Sequence, residues 1–296
     1  MKNKIKTSRE DKIFNFIVYS ISAIVLILIA YPVIYVLSAS LSSPAAVTTG
    51  KVTFLPVDFS LDGYKAVFEN KDILIGYRNT IFYTVLGTII NVAVTLFAAY
   101  PMSRKDFKAR NKFSFFFTVT MLFSGGMIPT YMVVKDLGLL DTTWSLVLPG
   151  AVSVYNLMVT RSFIESTIPH EMLEAAQIDG CSDIQYFFKF VLPLSKAVIA
   201  VITLFYAVSH WNSYFNALLY INARDKYPLQ LFLREILVNN KVDPSTMDEG
   251  IVAAKQGLSD LLKYSLIVVS SLPIMCIYPF VQKYFVQGVM IGSVKG

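Results

Sequence analysis

Six long apolar runs, each almost free of formal charge, dominate this sequence and point its fold toward a lipid bilayer. They are roughly Ile13–Ser40, Tyr77–Tyr100, Phe113–Val134, Trp144–Phe163, Val191–Tyr214 and Tyr264–Val281. A helix needs about 20 apolar residues to cross the hydrocarbon core, and a charge at the bilayer centre costs about 3 kcal/mol or more. The expected fold is therefore all-α and integral to the membrane, with six transmembrane helices in a single domain over residues 1–296. Composition agrees: 55% hydrophobic and 16% charged is too apolar for an ordinary soluble domain. The first run has basic residues before it and Ser38-Ala39-Ser40 after it, as a signal peptide would. It is too long for such a peptide's apolar region and five more runs follow, so we expect it to be retained as a span.

Basic residues set the orientation. With the N-terminus inside, the inner segments hold Lys2, Lys4, Lys6, Arg9 and Lys12, then Arg104, Lys105, Lys108, Arg110 and Lys112, then Arg161, Lys189, Lys196, Lys283 and Lys295. Fifteen basic and eight acidic residues fall inside, against eleven and twelve outside. Both termini are thus expected to be cytoplasmic. The net charge of +6 reads as a topology signal, because these charges flank spans; we expect no nucleic-acid partner. Cys181 and Cys276 fall in different environments, so neither a disulfide nor a metal site is expected.

Between the fourth and fifth runs, residues 165–193 carry strong local signals. Pro169 suits a helix start. Glu171 and Glu174 favour its N-terminal end electrostatically. Ala175 and Ala176 are small and helix-forming, leaving room for a partner surface. Gly180 suits a helix C-terminus, Ser182 and Gln185 form a capping box, and Pro193 interrupts the helix that follows. A short helix–turn–helix at the membrane surface is expected, which by its physics alone also fits an ordinary amphipathic connector. Glu165, Asp179 and Asp183 are explained by helix starts and turns, and His170 as a solvated surface histidine.

The spacing within this segment is distinctive. Glu174-Ala175-Ala176, three residues, Gly180, nine residues, Phe190, one residue, then Leu192-Pro193 resembles the EAA loop of binding-protein-dependent ABC import permeases, which has isoleucine where Phe190 stands. Ala99-Tyr100-Pro101-Met102-Ser103-Arg104-Lys105-Asp106-Phe107, Phe123–Tyr131, Tyr206–Asn216 and the tail Lys283–Gly296 extend the likeness to the MalG-like carbohydrate-uptake permeases, LplC/YtcP type. This resemblance implies a type I importer permease fold in a bacterial plasma membrane. It implies a heterodimer with a second homologous permease, two ATPase subunits, an extracellular lipid-anchored solute-binding protein and a carbohydrate substrate. It makes Glu174, Ala175, Ala176, Asp179, Gly180, Leu192 and Pro193 the joint to the ATPase, and lets Lys295 and Gly296 reach between the ATPase subunits. The sequence has no phosphate-binding loop; Gly50-Lys51-Val52 is the nearest fragment and lacks the upstream glycine and the hydroxyl residue. The chain is thus expected to be non-catalytic and without cofactor, with ATP and Mg on the partner.

Candidate substrate-path residues are fewer. Gly125 and Gly126, with Pro129, should break the third span, as a cavity wall or as a close-packing kink. Trp211, Asn212, Tyr214 and Asn216 have the composition of a sugar path, and equally that of an interfacial aromatic belt or a surface packed on a partner subunit. The outer segment Asn222–Lys263 lacks clear structural signals; the resemblance implies a loop that enters the binding protein and helps evict the sugar, and a passive docking surface is the alternative. Leu41–Gly76 is expected to pack as an outer cap. A peptide or amino-acid importer, and more remotely a membrane enzyme, are the competing functions; the spans lack the convergent titratable groups an enzyme needs.

Overall fold

The computed structural model of the chain describes residues 8–239 and 249–293, and those residues form helices and turns with no strand. In order, α1 is Arg9–Ser40, α2 Pro44–Thr48, α3 Asp62–Glu69, α4 Lys71–Ser103, α5 Arg110–Leu122, α6 Met127–Asp136, α7 Trp144–Val147 and α8 Val154–Thr167. There follow α9 His170–Ile178, α10 Asp183–Tyr186, a π turn Phe187–Val191, α11 Leu192–Leu194, α12 Lys196–Trp211, α13 Phe215–Tyr220, a 3-10 turn Arg224–Lys226, α14 Leu229–Asn239 and α15 Glu249–Ser293.

Among the described residues, α1, α4 and the Ser259–Pro279 part of α15 are long and apolar enough to cross a bilayer. Two bent pairs meet the same test together: α5 with α6 at 114°, and Asp183–Leu194 with α12 at 80°. That gives three candidate spans by length and composition, or five with each bent pair taken as one, among the described residues. The fourth apolar run is the main departure. Pro149 and Gly150 fall inside it, and residues 148–153 are not helical. Proline removes a backbone donor and glycine weakens a helix interior. What remains, α8, is 14 residues or about 21 Å, against a core of about 30 Å.

The chain divides into two compact units. The first comprises residues up to Asn70 with Glu235–Ser271. Here the segment after α1 folds back onto it. Ser42 Oγ donates to the Ser38 carbonyl at 2.7 Å and accepts from the Val57 amide at 3.0 Å. Ser43 caps α2, with Pro44 in its first turn. Ala39, Ala46, Val47, Val52 and Leu261 form a small core. The apolar stretch of α1 buries none of its most apolar window, so its surface is left for lipid or a partner.

The second unit comprises Lys71–Arg234 with the residues from Leu272 onward, and α4 is its axis. Asn79 donates to the carbonyls of Asp225 and Tyr227 at 2.7 and 3.0 Å, and Tyr83 to that of Lys226 at 2.9 Å. Asp141 accepts from the amides of Asn222 and Ala223 at 3.1 and 3.0 Å. Those amides, Ala223 first, hold its carboxyl below the usual range. The segment 222–263 is thus no open loop where it is described: its first residues are tethered, α14 follows, and Glu249–Lys263 is helical. Residues 240–248 lie outside the described part.

Candidate functional site

The segment between α8 and α12 folds as local chemistry dictates. Pro169 sits one position before α9 rather than in it. At the other end Gly180 has φ +72°. The Cys181 amide donates to the Ala176 carbonyl at 2.9 Å and the Gly180 amide to Gln177 at 3.0 Å, which is the paired bonding of a Schellman stop. Ser182 and Gln185 then exchange the two bonds of a capping box, each at 3.3 Å. The π turn comes just before Pro193, whose ring would press on the carbonyl four residues back in an α-helix; the wider turn relieves this. Phe190 lies in that turn with its ring stacked on Tyr186, centroids 5.3 Å apart.

One face of this segment is committed to the protein itself. Leu173, Ala176, Tyr186, Phe187 and Val191 join Leu96, Ala99 and Met102 of α4 and Leu157 and Ile164 of α8 in one core. The expectation that both alanines face outward holds for Ala175 alone, because Ala176 is 8% exposed. Successive helical residues turn by about 100°, so one residue separates the two faces. The exposed residues of α9 and its end are Glu171, Glu174, Ala175, Gln177, Ile178 and Asp179, with Gly180 at the tip and Ile184 beyond. Ile178 is 86% exposed and Ile184 72%. Sequence reasoning missed both, although Ile178 is out of phase with the buried Leu173 and Ala176. Leu192 is half-buried and Pro193 exposed. Lys295 and Gly296 lie outside the described residues.

The basic stretch after α4 meets this segment. Arg104 donates to Asp106, to Asp183 and, at 3.2 Å, to the Tyr100 hydroxyl. Hydrogen bonding to Arg104 holds the Asp106 carboxyl below its usual range, and the acid's bond in turn raises the guanidinium. Glu165 takes Arg161 at 3.1 Å and Arg110 at 3.5 Å. A recess of about 490 Å³ lies between them, lined by Arg104, Lys105, Arg110, Glu165, His170 and Tyr186 among others.

The proposed substrate-path residues are not brought together. Gly125 and Gly126 occupy the exposed turn between α5 and α6; Gly126 has φ +85° and an added Cβ would meet nothing within 4 Å. Gly126 thus supplies the backbone conformation of the break, and Pro129 just beyond it lines a recess of about 440 Å³ with Thr130, Val133 and Pro149. Trp211 ends α12 buried, edge-on to Tyr77 at 6.2 Å. Asn212, Tyr214 and Asn216 are exposed in and after the following turn. A buried polar network was also missed. Asn91 donates to the Gly150 carbonyl at 3.1 Å and lies 3.2 Å from His210 Nε2. Thr95 meets the Tyr206 hydroxyl at 2.7 Å, which accepts from the Ser153 amide at 3.0 Å. Gly87, Asn91 and Thr95, spaced by four inside an apolar run, were its visible signal.

The described residues thus form long apolar helices and a helix–turn–helix with an exposed tip. No family model matches the chain. It is 40% identical over 290 residues to the polygalacturonan/rhamnogalacturonan transport system permease protein YtcP of Bacillus subtilis (strain 168), covering 97% of this chain and 100% of that one. Protein LplC of the same organism is 43% identical over 267 residues, 90% and 89% of the two chains. The crystal structure of a bacterial ABC transporter involved in the import of the acidic polysaccharide alginate aligns with a TM-score of 0.87 and 36% identity, covering 95% of this chain and 100% of that one. The chain belongs to the family of sugar ABC transporter permeases that includes YtcP and LplC. It is a membrane protein, and its relatives are transport permeases rather than enzymes.

Proposed function

We propose that this chain is one of two homologous transmembrane subunits of a bacterial importer that moves an oligosaccharide into the cell. Residues 165–193 are the surface on which a separate ATPase acts. The observation that carries the reading is the exposed tip at Gly180. Ala175, Ile178 and Ile184 present apolar surface on a doubly capped frame, a shape suited to a cleft in another protein. Glu174 and Asp179 flank that contact, and Leu192 and Pro193 carry its motion toward α12. The tail with Lys295 and Gly296 reaches between two ATPase subunits, which hold ATP and Mg. Outside, a lipid-anchored solute-binding protein delivers the sugar. One relative's name gives polygalacturonan and rhamnogalacturonan and another's the acidic polysaccharide alginate, so an acidic oligosaccharide is the substrate we favour. A peptide or amino-acid cargo draws no support from the relatives' names.

Reconstitution tests this. The chain alone in proteoliposomes should hydrolyse no ATP; with its co-purified permease, ATPase and binding protein it should accumulate an acidic oligosaccharide. Hydrolysis by the chain alone would refute the non-catalytic reading, and uptake of neutral sugars only would refute the substrate charge.

Orientation is tested separately. We expect both termini in the cytoplasm and α14 outside. Val238 on α14 is 59% exposed, and Lys108 lies in the exposed basic stretch. In a chain lacking Cys181 and Cys276, Val238→Cys should react with an impermeant thiol reagent on intact cells and Lys108→Cys only after lysis. The reverse pattern would invert the topology.

A further inference from the structure

The stretch Tyr100–Phe107 runs from the last turn of α4 to the helix–turn–helix. α4 ends at Ser103, and Arg104 turns its guanidinium toward the helix–turn–helix. There it bonds Asp183, the first residue of α10, while Asp106 holds it from the other side and the Tyr100 hydroxyl supports it from one turn back. The Arg104 side chain is only 11% exposed. Below the polar contact, the Tyr100 ring lies 5.2 Å from Phe187 and 6.5 Å from Tyr186. A planar, multi-donor guanidinium fixes direction as well as distance, which a lysine would not.

The covalent route from the same segment into the membrane is soft by comparison. It passes through the π turn, the short α11, and the break at Ser195 where the axis bends by 80°. A push delivered at Gly180 can be absorbed at each of these joints. The contact with Arg104 bypasses them and leads to α4, a single helix of 33 residues.

We propose that Arg104 is a positioning residue for transport. Clamped to Asp183 and seated on Tyr100, it makes the end of α4 and α10 move as one body, so that displacement of the helix–turn–helix enters the membrane through α4 as well as α12. This rests on the coupling reading of residues 165–193.

The test uses the assembled importer. Asp183 is 64% exposed, so Asp183→Asn leaves the fold intact; Arg104→Gln removes the other half. Expected for both is membrane abundance and ATPase co-purification within about twofold of wild type, uptake reduced at least about tenfold, and more ATP hydrolysed per sugar moved. A merely structural role would lower abundance and leave the ATP-to-sugar ratio unchanged. Arg104→Cys with Asp183→Cys, in a chain lacking Cys181 and Cys276, should regain uptake when bridged by a short bifunctional thiol reagent. Wild-type uptake in both single variants, or no recovery on bridging, overturns the clamp. Gly180→Val, run in parallel, separates the two ideas. If it stops uptake while the Arg104 and Asp183 variants do not, the clamp alone is wrong. If it too is silent, the coupling surface is wrong.

Discussion

Replacing Gly180 with valine is expected to abolish uptake while the chain stays in the membrane at normal abundance. Gly180 holds φ +72°, a left-handed conformation that costs an ordinary L-residue about 1–2 kcal/mol and a β-branched one more. The turn is open: an added Cβ meets nothing within 4 Å in this chain. The penalty is therefore one of backbone conformation, with exclusion of a docked partner added to it. Leu173, Ala176, Tyr186 and Phe187 keep the two short helices packed on α4 and α8, so stability survives and the tip between them changes shape. Gly180→Asn is the informative partner variant, because asparagine enters the left-handed region far more readily; it should retain most uptake. Uptake assays beside immunoblots of the membrane fraction decide the matter. Full uptake by Gly180→Val would remove this tip from the transport cycle.

A second large effect is expected at the opposite end of α4. Gly76→Val should destabilise the protein itself by about 1–3 kcal/mol, the usual cost of overpacking. A Cβ at residue 76 would stand 2.8 Å from the Phe232 ring and 2.9 Å from Leu229 Cα. The backbone there cannot retreat freely. The Leu229 amide donates to Thr80 Oγ1 at 2.8 Å, and Asn79 and Tyr83 hold the carbonyls of residues 225–227. Less protein in the membrane and a lower unfolding temperature in detergent are the readouts. Gly150→Ala is the control: an added Cβ there meets nothing within 4 Å, and its stability should match wild type. A Gly76→Val chain as stable as that control would mean the helix end is looser than its hydrogen bonds imply.

Both glycines are plain in the sequence, but they were legible to different degrees. Gly180 follows a helix-forming run and precedes Ser182 and Gln185, so its role as a stop is written within a few residues. Nothing near Gly76 announces that Leu229 will press against it. Family membership was legible for the same reason as Gly180, since the spacing from Glu174 to Pro193 is a local pattern. The outward isoleucines and the Arg104 contact with Asp183 were not, because each depends on which face the core claims.

By itself, then, the sequence determined what is local. Hydropathy marked the apolar runs and capping residues marked the ends of α9 and α10, since each signal acts within a turn or two of helix or against bulk lipid. Only the tertiary structure decided the rest. It split the fourth run at Pro149 and Gly150, bent the third and fifth, turned Ala176 inward while Ala175 stayed out, and folded residues 222–232 onto the end of α4. Those outcomes depend on surfaces brought together from distant parts of the chain, where a hydrogen bond from Asn79 to Tyr227 or a core shared by α4, α8 and α9 outweighs a propensity of a few tenths of a kcal/mol per residue.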